Sequence, residues 1–536
     1  MIENMNPRQS EIFQNAVNQI ALQRKRPLIY GPNGKPARPA ISAEYQQERT
    51  AAKRVGSMSE WAPRGLYGSA AEARDREVIS RRAIDLVQND PNAHGVIETF
   101  ATTVIGTGLS LHPVIDADAL GMSKAKVKKL KAEQKLNFAT WAPESDYLDR
   151  YWFGAQLFIL EKLFMKFGEY FILLPMMDDP TRAFSLALNI IHPMRIKTPT
   201  DKINTNVRDG IELDSDGREL AIWIKKSIAY SAYGNLSDMS ENFHRVERKA
   251  GHRLRYIHYY DQEDPDQTRG ISKLAPAMKF FKDMSDLLDS ELVSNVVTAA
   301  FALYIETGDA DPQTVADSFG TITNVQKKSD GSSYNQKYEE IDPGSVMYGR
   351  DSDGKPHVIA ADRPGTTFDP FTRIIKKALA QGSGGVPMPV LFKDFDGMNF
   401  ASYRSAMLEA WRIYLKHRSD SGHAVCDPIN YMLQEEAWLR GKLSIRDFYK
   451  YGRSLTQAKW IGPPKGQIEP IKETQADILK VQNNFKTREQ VILESNDTGF
   501  EPVAEQLGEE QKILAANGLT EEKIENPADD GKTEDF

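Results

Sequence analysis

Residues 368–415 constrain the fold most, because a glycine- and proline-rich loop there separates two strongly helical patterns. Apolar side chains recur every three or four positions in the first pattern, residues 368–381: Phe368, Phe371, Ile374, Ile375 and Leu379. The second pattern begins near Ser402 and has the same spacing: Tyr403, Met407, Leu408, Trp411, Tyr414 and Leu415. Since this period places the apolar residues on one face of a helix, we predict two amphipathic helices.

The segment between these helices is interpreted as a loop with a mechanical role. Glycine tolerates unusual backbone angles and proline disfavours helix before it, so the segment predicts a helix end and an extended continuation. The residues interpreted as a hinge are Gly382, Gly384, Gly385 and Pro387, and Pro389 follows them. The loop also carries Lys393, Asp394 and Asp396, which form no catalytic grouping.

Composition indicates a folded, soluble protein with several domains, since 40% of its 536 residues are hydrophobic and 27% are charged. No apolar run approaches the roughly 18 residues of a membrane-spanning helix, and the N-terminus has no pattern of a signal peptide. The single cysteine, Cys426, excludes an internal disulfide, suits a reducing cytoplasm and is interpreted as a packing residue.

The rest of the chain alternates helical and strand patterns. Residues 70–104 predict two helices broken at Asn89–Asp90–Pro91, with a face of arginines interpreted as solvated: Arg74, Arg76, Arg81 and Arg82. Further helices are predicted at 124–138, 153–166, 274–300, 429–440, 444–451, 470–484, 487–495 and 502–516. Strands are predicted at 168–177, 186–191 and 253–260, with a hairpin at 210–226. These patterns predict an α+β protein.

Several segments resemble the lambda-type portal proteins of tailed bacteriophages. They are RPGTTFDPF (363–371), GVPMPVLF (385–392), NFASYRSAMLEAW (399–411), RGISKLAP (269–276), the segment 76–111 and the segment 470–476. Portals are rings of usually about twelve copies at one capsid vertex, through which DNA enters and leaves. The resemblance implies a portal fold with an α/β wing, a two-helix stem, a β-rich clip, a tunnel loop and a helical C-terminal crown.

The resemblance also implies domain boundaries along the chain. A partly disordered N-terminal arm (1–67) precedes the first part of the wing (68–273), the first stem helix (274–300) and the clip (301–364). The second stem helix (365–381), the tunnel loop (382–401) and a long helix with the second part of the wing (402–470) follow. A crown (471–516) and an acidic flexible tail (517–536) complete the chain.

The resemblance places a small set of residues toward the channel or the clip. The channel set is Arg373, Lys376, Lys377, Lys393, Asp394, Asp396 and Asn399. The clip set is Lys327 and Lys328. Rings of such lysines would contact DNA phosphates transiently, and the equally weighted alternative is a solvated helix face or an intersubunit ion pair.

The implied partners are other copies of the chain, double-stranded DNA, the terminase large subunit, the head–tail connector, the major capsid protein and the scaffold. No membrane, cofactor or metal is implied, and the location is the virion after assembly in the host cytoplasm. The net charge of −7 comes mainly from residues 501–536, which carry eleven acidic and three basic residues. The nearly neutral remainder agrees with a channel in which DNA slides rather than adheres.

Two alternatives remain: a DNA-processing enzyme, either a nuclease or a packaging ATPase, and another connector ring. An enzyme is not expected, because GPNGK at 31–35 lacks the spacing of a phosphate-binding loop and the nine histidines are scattered. The two DSDG segments, 214–217 and 351–354, lack the later ligands of a calcium loop and are interpreted as hairpin turns. A connector ring is usually a much shorter chain.

Overall fold

The computed structural model describes residues 73, 75–203, 205–226, 242–300, 368–466, 469–495 and 499–517, and four short strands between 301 and 367. The side chains of 296–300 and of those four strands are not part of this description. The predictions for the arm, the DSDG turn at 351–354, Lys328, most of the clip and the tail after Asn517 therefore lie outside the described residues.

Two helices, α1 (Arg76–Asn89) and α2 (Pro91–Val104), open the described chain and are separated by a capped break. The Asp90 side chain accepts a hydrogen bond from the Ala93 amide at 2.7 Å, and Pro91 occupies the first helical position. Both features favour a new helix start, so the predicted break is confirmed. Helix α2 then buries one apolar face that includes Phe100.

Strand β1 (Ser110–Pro113) follows and precedes the helices α3 (Lys124–Trp141) and α4 (Phe153–Phe167). Helix α3 begins at a Ser123 cap and runs to Trp141, three residues beyond its predicted end. Its last turn buries Trp141, whose indole nitrogen donates to the Leu186 carbonyl at 2.8 Å. Packing of this aromatic residue therefore extends the helix.

The next strands form two principal antiparallel sheets and a small pair. They are β2 (Glu169–Leu173), β3 (Asn189–Ile191), β4 (Val207–Arg208), β5 (Ile211–Leu213), β6 (Glu219–Lys225), β7 (Phe243–Glu247), β8 (Lys249–Ala250), β9 (Arg253–Leu254) and β10 (Tyr256–Tyr260). Strand β2 lies between β10 and β3, and β4 to β7 pair in chain order. The predicted hairpin is β5–β6, and the Asp214 carboxylate accepts from the Arg218 amide in its turn.

A helical pair comes next in the chain. After a 3₁₀ turn at Ala275–Ala277, helix α5 (Met278–Ala300) leads to strands β11 (Leu303–Glu306), β12 (Gln326–Lys327), β13 (Ser333–Tyr334) and β14 (Val346–Gly349). Helix α6 (Phe368–Gly382) returns and contacts α5. These bounds agree with the helical spacing in the sequence, and β14 lies largely within PGSVMY (343–348), a segment that the sequence predicts as a strand.

The remaining helices complete the structure. They are α7 (Met388–Leu391), α8 (Phe400–Ser421), α9 (Asp427–Leu439) and α10 (Phe448–Leu455), and after strand β15 (Ala458–Ile461) come α11 (Pro470–Gln482), α12 (Arg488–Ser495) and α13 (Phe500–Ala516). A short π-helical segment, Gly422–Cys426, joins α8 to α9. Strand β15 pairs antiparallel with β1 and thus connects distant parts of the chain.

Two predictions about these helices are wrong. The segment after Pro387 is not extended: Pro387 occupies the position before α7 and Pro389 lies within its first turn, where a missing amide hydrogen costs nothing. The helix predicted at 444–451 begins four residues later, at Phe448, because the Asp447 carboxylate caps it by accepting from the Lys450 amide.

Helices and strands together confirm the predicted mixed α+β class. One large apolar cluster spans α2, α3, α4, α6, α8 and α9, and a smaller one lies between the two principal sheets. Cys426 is fully buried in the large cluster, which agrees with its interpretation as a packing residue.

Candidate functional site

Helix α6 and the loop at 383–399 are built onto the large apolar cluster. Leu379 and Ala380 of α6 are buried, and a Cβ atom added to Gly382 would lie 3.0 Å from the Ala277 Cβ. The C-terminal end of α6 therefore approaches the start of the α5 segment more closely than a larger side chain would allow.

Two glycines follow in left-handed or related backbone conformations. Gly384 has φ of 109°, and a Cβ atom there would lie 2.8 Å from Cζ of Phe100. Gly385 has φ of 75° but open space around its α-carbon. Glycine at 384 is thus required by both the backbone angle and close packing, and at 385 by the angle alone. Motion about these glycines stays a prediction.

The first half of the loop is anchored in the protein interior. Ser383, Val386 and Leu391 are buried, and α7 contacts α6, α8 and α2. The Gly385 amide donates to the Ala380 carbonyl at 3.1 Å, which closes the end of α6. Residues 383–392 consequently form a packed segment.

The second half of the loop is attached to α6 by ion pairs. Arg373 Nη2 lies 2.8 Å from Asp396 Oδ2, and Lys376 Nζ lies 3.3 Å from Asp394 Oδ2. Arg373 Nη2 also lies 4.0 Å from Asp394 Oδ1. Four of the seven channel residues predicted from the sequence are therefore brought together, as two oppositely charged pairs.

The other three channel residues have different surroundings. Asn399 caps α8, because its side-chain oxygen accepts from the Ser402 amide at 2.8 Å. Lys377 and Lys393 are exposed, and neither has an ion-pair partner among the described side chains. Of the clip residues, Lys327 lies at the end of β12.

Helix α8 is fixed to α2 through a buried arginine. Arg418 donates from Nε to the Val104 carbonyl and from Nη2 to the Thr103 carbonyl, both at 2.9 Å. Carbonyls at a helix C-terminus lack partners within the helix, so this guanidinium satisfies two of them. The loop is thus held between two elements that are rigidly attached to the core.

Sequence reasoning missed a buried cluster of charged side chains beneath the start of the α5 segment. Glu169 of β2 accepts from Arg269 Nε at 2.7 Å and from the Gly270 amide at 3.0 Å. The ring of His258 lies between Glu169, at 3.3 Å, and Glu219, with which it makes a short contact. Arg269 and Gly270 belong to the segment RGISKLAP. Its resemblance to the portal family was the one feature of the sequence that drew attention to these two residues.

Burial and charge act in opposite directions on this cluster. Burial alone raises the pKa of Glu169, but the Arg269 guanidinium and the His258 imidazole outweigh it and hold that pKa far below its usual range. Burial alone lowers the pKa of His258, but the carboxylates of Glu219 and Glu169 outweigh it and raise that pKa. The imidazolium form of His258 is therefore favoured between two carboxylates.

Arg76 corrects the interpretation of a solvated arginine face on α1. Its Nη2 lies 3.1 Å from Asp209 Oδ1, and its Nη1 lies 3.9 Å from Glu169 Oε1. Only about a tenth of the Arg76 side chain is exposed, whereas Arg81 is exposed as predicted. Helical periodicity does not reveal the partners that a folded sheet supplies.

The described residues contain no group of three or more histidine, cysteine, aspartate or glutamate side chains that would hold a metal ion. Burial raises the pKa of the Cys426 thiol well above its usual range. Across the described residues, no helix has the length and apolarity required to span a membrane.

Comparison with known proteins identifies the family. The family model for "Phage portal protein, lambda family" matches residues 54–418. The portal protein of Escherichia phage N15 is 22% identical over 92% of this chain and 94% of its own length. Portal protein B of Escherichia phage lambda is 21% identical over 86% of this chain and 88% of its own length.

A solved structure, described as "Neck of empty GTA particle computed with C6 symmetry", is 13% identical, with a TM-score of 0.41 over 81% of this chain and 95% of that chain. The family match extends over more than half of the sequence and includes α1 to α7 and most of α8. The chain therefore belongs to the lambda family of phage portal proteins.

Proposed function

We propose that this portal protein assembles into a closed ring of about twelve copies, whose central channel conducts double-stranded DNA into and out of the capsid. The ring would occupy one capsid vertex of the virion after assembly in the host cytoplasm. Helices α5 and α6 would form the stem, residues 382–401 the tunnel loop, residues 301–364 the clip and α11 to α13 the crown. The observation that carries this proposal is the apolar surface of the stem.

The stem pair exposes large apolar side chains that a single chain leaves in water. Leu292 is 64% exposed and Ile374 is 62% exposed, and the other members of this surface, each one helical turn away, are Leu288 and Phe371. Burying such a side chain fully contributes about 1.5–3 kcal/mol. A ring would bury these side chains, because each stem would lie between the stems of two neighbouring subunits.

The chemistry of the loop suits contact with sliding DNA. Lys377 and Lys393 present exposed ammonium groups, whereas Asp394 and Asp396 place carboxylates beside Arg373 and Lys376. Alternating charges of this kind give weak, sequence-independent attraction to phosphates. Such a surface guides a duplex without holding it.

We assign no reaction to the chain itself. The terminase large subunit would supply the energy of packaging and dock on the clip, where the head–tail connector would later replace it. The wing would contact the major capsid protein and the scaffold. Membership in the lambda family of portal proteins is what supports these proposed partners.

The ring is tested by placing a charge on the apolar stem surface. We expect Leu292→Glu to prevent ring formation while leaving the single chain folded, because a carboxylate at a subunit contact loses its hydration. Native mass spectrometry gives the subunit number, and negative-stain electron microscopy shows the central hole. Circular dichroism reports the fold of the single chain.

The matched control is Ser290→Glu on the same helix. Ser290 is exposed and lies about 200° around the helix from Leu292, so it presents the same charge on another face. We expect this variant to form normal rings. Monomers or dimers alone from the unmodified chain at high concentration would refute the proposed function.

A further inference from the structure

The tip of the tunnel loop, residues 393–398, is chemically and conformationally distinct from the packed segment that precedes it. Asp394, Phe395 and Asp396 lie between Lys393, with φ of 56°, and Gly397, with φ of 71°. Space around the Gly397 α-carbon is open. Both ends of the tip therefore adopt left-handed backbone angles, and at Lys393 this is a conformation that side chains other than glycine rarely adopt.

Few contacts hold the tip in place. The Asp394 amide donates to the Pro389 carbonyl at 3.1 Å and the Met398 amide donates to the Phe395 carbonyl at 3.2 Å. The Phe395 ring meets the Tyr403 ring edge to face at 5.1 Å, yet Phe395 remains exposed. The ion pairs to α6 are the remaining attachment among the described residues.

Those ion pairs occupy two adjacent stem cations with the chain's own carboxylates. Asp394 is only 17% exposed and lies against Lys376, whereas Asp396 is 86% exposed and reaches Arg373 from the solvent side. Arg373 also lies 3.3 Å from Asp369, one turn earlier on α6. A guanidinium beside an ammonium is an arrangement that binds phosphate oxygens when no carboxylate is present.

We propose that Arg373 and Lys376 form a phosphodiester-binding site that Asp394 and Asp396 occupy when the loop tip is folded back. In this state the two carboxylates act as internal substitutes for DNA phosphates. A duplex that displaces the tip gains two stem cations in each subunit, and the tip folds back when the phosphate moves on. The choice of DNA as the ligand rests on the proposed function, whereas the ion-paired tip is a property of the single chain.

Removing the two carboxylates tests the attachment directly. In Asp394→Asn with Asp396→Asn, we expect the amides of residues 394 and 398 to exchange with deuterium about two- to thirty-fold faster, the range that two ion pairs near the surface contribute. The Tyr403 amide, which donates to the Asn399 carbonyl, is the internal reference and should not change. Raising the salt to about 1 M screens the ion pairs, so the amide exchange rates of the unmodified chain should then approach those of the variant.

Asp369→Asn is the matched control. It removes a carboxylate from the same arginine, but this carboxylate belongs to α6 and not to the loop. We expect no faster exchange at Asp394 or Met398 in this variant. Unchanged exchange in the double variant would overturn the proposal, since the backbone and Phe395 would then suffice to hold the tip.

The phosphodiester site is tested with a short double-stranded DNA and assembled rings. We expect the double variant to bind DNA more tightly, with the slope of log K against log salt steeper by about 0.9 for each stem cation that gains a phosphate. Adding Arg373→Gln and Lys376→Gln to this variant should remove the gain. Faster exchange without a steeper slope would overturn the assignment of the ligand.

Failure of the proposed function has a different signature. If the unmodified chain forms no rings, the channel is refuted, while the exchange experiment still decides on the attachment because all four residues belong to one chain.

Discussion

Glu169 is the residue on which the buried charges of this protein converge. Arg269 precedes α5, His258 belongs to β10 and Arg76 begins α1, yet all three contact this one carboxylate. Buried ion pairs depend on complete pairing, because removing one partner leaves an uncompensated charge. The cluster therefore joins the segment before α5 to strands β2 and β10 and to α1.

His258 makes this cluster sensitive to pH. The raised pKa of His258 means that its contribution to stability is complete below the unfolded value, about 6.5, and is lost as the pH rises through the folded value. We expect His258→Gln to lower the free energy of unfolding by about 3–5 kcal/mol near pH 6 and by less near pH 9. Urea unfolding of the single chain at several pH values measures the difference.

The charged groups around His258, taken together, still raise its pKa, so the direction of the pH dependence is unchanged. Glu219 and Glu169 face the two ring nitrogens, and Arg248 and Arg269 each pair with one of these carboxylates. His94→Gln on α2 is the control, since His94 is exposed. An equal loss of stability at every pH would contradict the prediction.

The ion-pair partners of such charged residues could be predicted only in part. The sequence indicated that Arg373, Lys376, Asp394 and Asp396 lie on a helix and the following loop, and their short separation brings them together. The partners of Arg76 and Glu169 lie on strands far along the chain, so no local pattern reveals them.

At the scale of elements, the turn after α6 combines backbone strain with close packing. We expect Gly384→Ala to destabilise the single chain by about 2–5 kcal/mol, since the new methyl group meets the Phe100 ring and the backbone angle disfavours it. Gly385→Ala should cost only about 1–2 kcal/mol, because the space there is open. Thermal unfolding of both variants gives the comparison. Equal losses would show that packing at Phe100 is unimportant.

Helix boundaries were predicted where capping side chains and apolar periodicity agree. Asp90 and Ser123 accept a backbone hydrogen bond at helix starts that the sequence predicted. Asn399 also caps a helix, but α8 begins at Phe400, before its predicted start near Ser402. The prediction failed at α7, because proline is compatible with both an extended chain and a first helical turn. It also failed at α10, where the Asp447 cap was not recognised.

At the scale of the whole molecule, the described C-terminal residues from Ile471 onward leave most of their apolar side chains exposed in the single chain. Phe485 is 81% exposed and Ile471 is 75% exposed, and helices α11 and α13 have no buried residue. We expect a chain that ends before Ile471 to keep the thermal stability of the single chain but to form few rings. The control, a chain that ends after Glu525, should form normal rings. Normal ring yield from the shorter chain would refute a structural crown.

The class of the fold and the helices α5 and α6 could be predicted from periodicity, since both depend on local spacing. The arrangement of the sheets could not, because it depends on pairings such as β2 with β10 that join separate segments. The channel residues stay a prediction. The ion pairs that join four of them required three-dimensional positions.

The pairing of β1 with β15 has a consequence for synthesis on the ribosome. Ser110 lies opposite Ile461, so the first strand has no partner until most of the chain has been translated. Helices α5 and α6 emerge earlier, with exposed apolar side chains such as Leu292 and Ile374 uncovered. Long-range pairing of this kind folds slowly and favours transient association of unfinished chains. Nascent portal chains are therefore expected to depend on chaperones until residue 461 has left the exit tunnel.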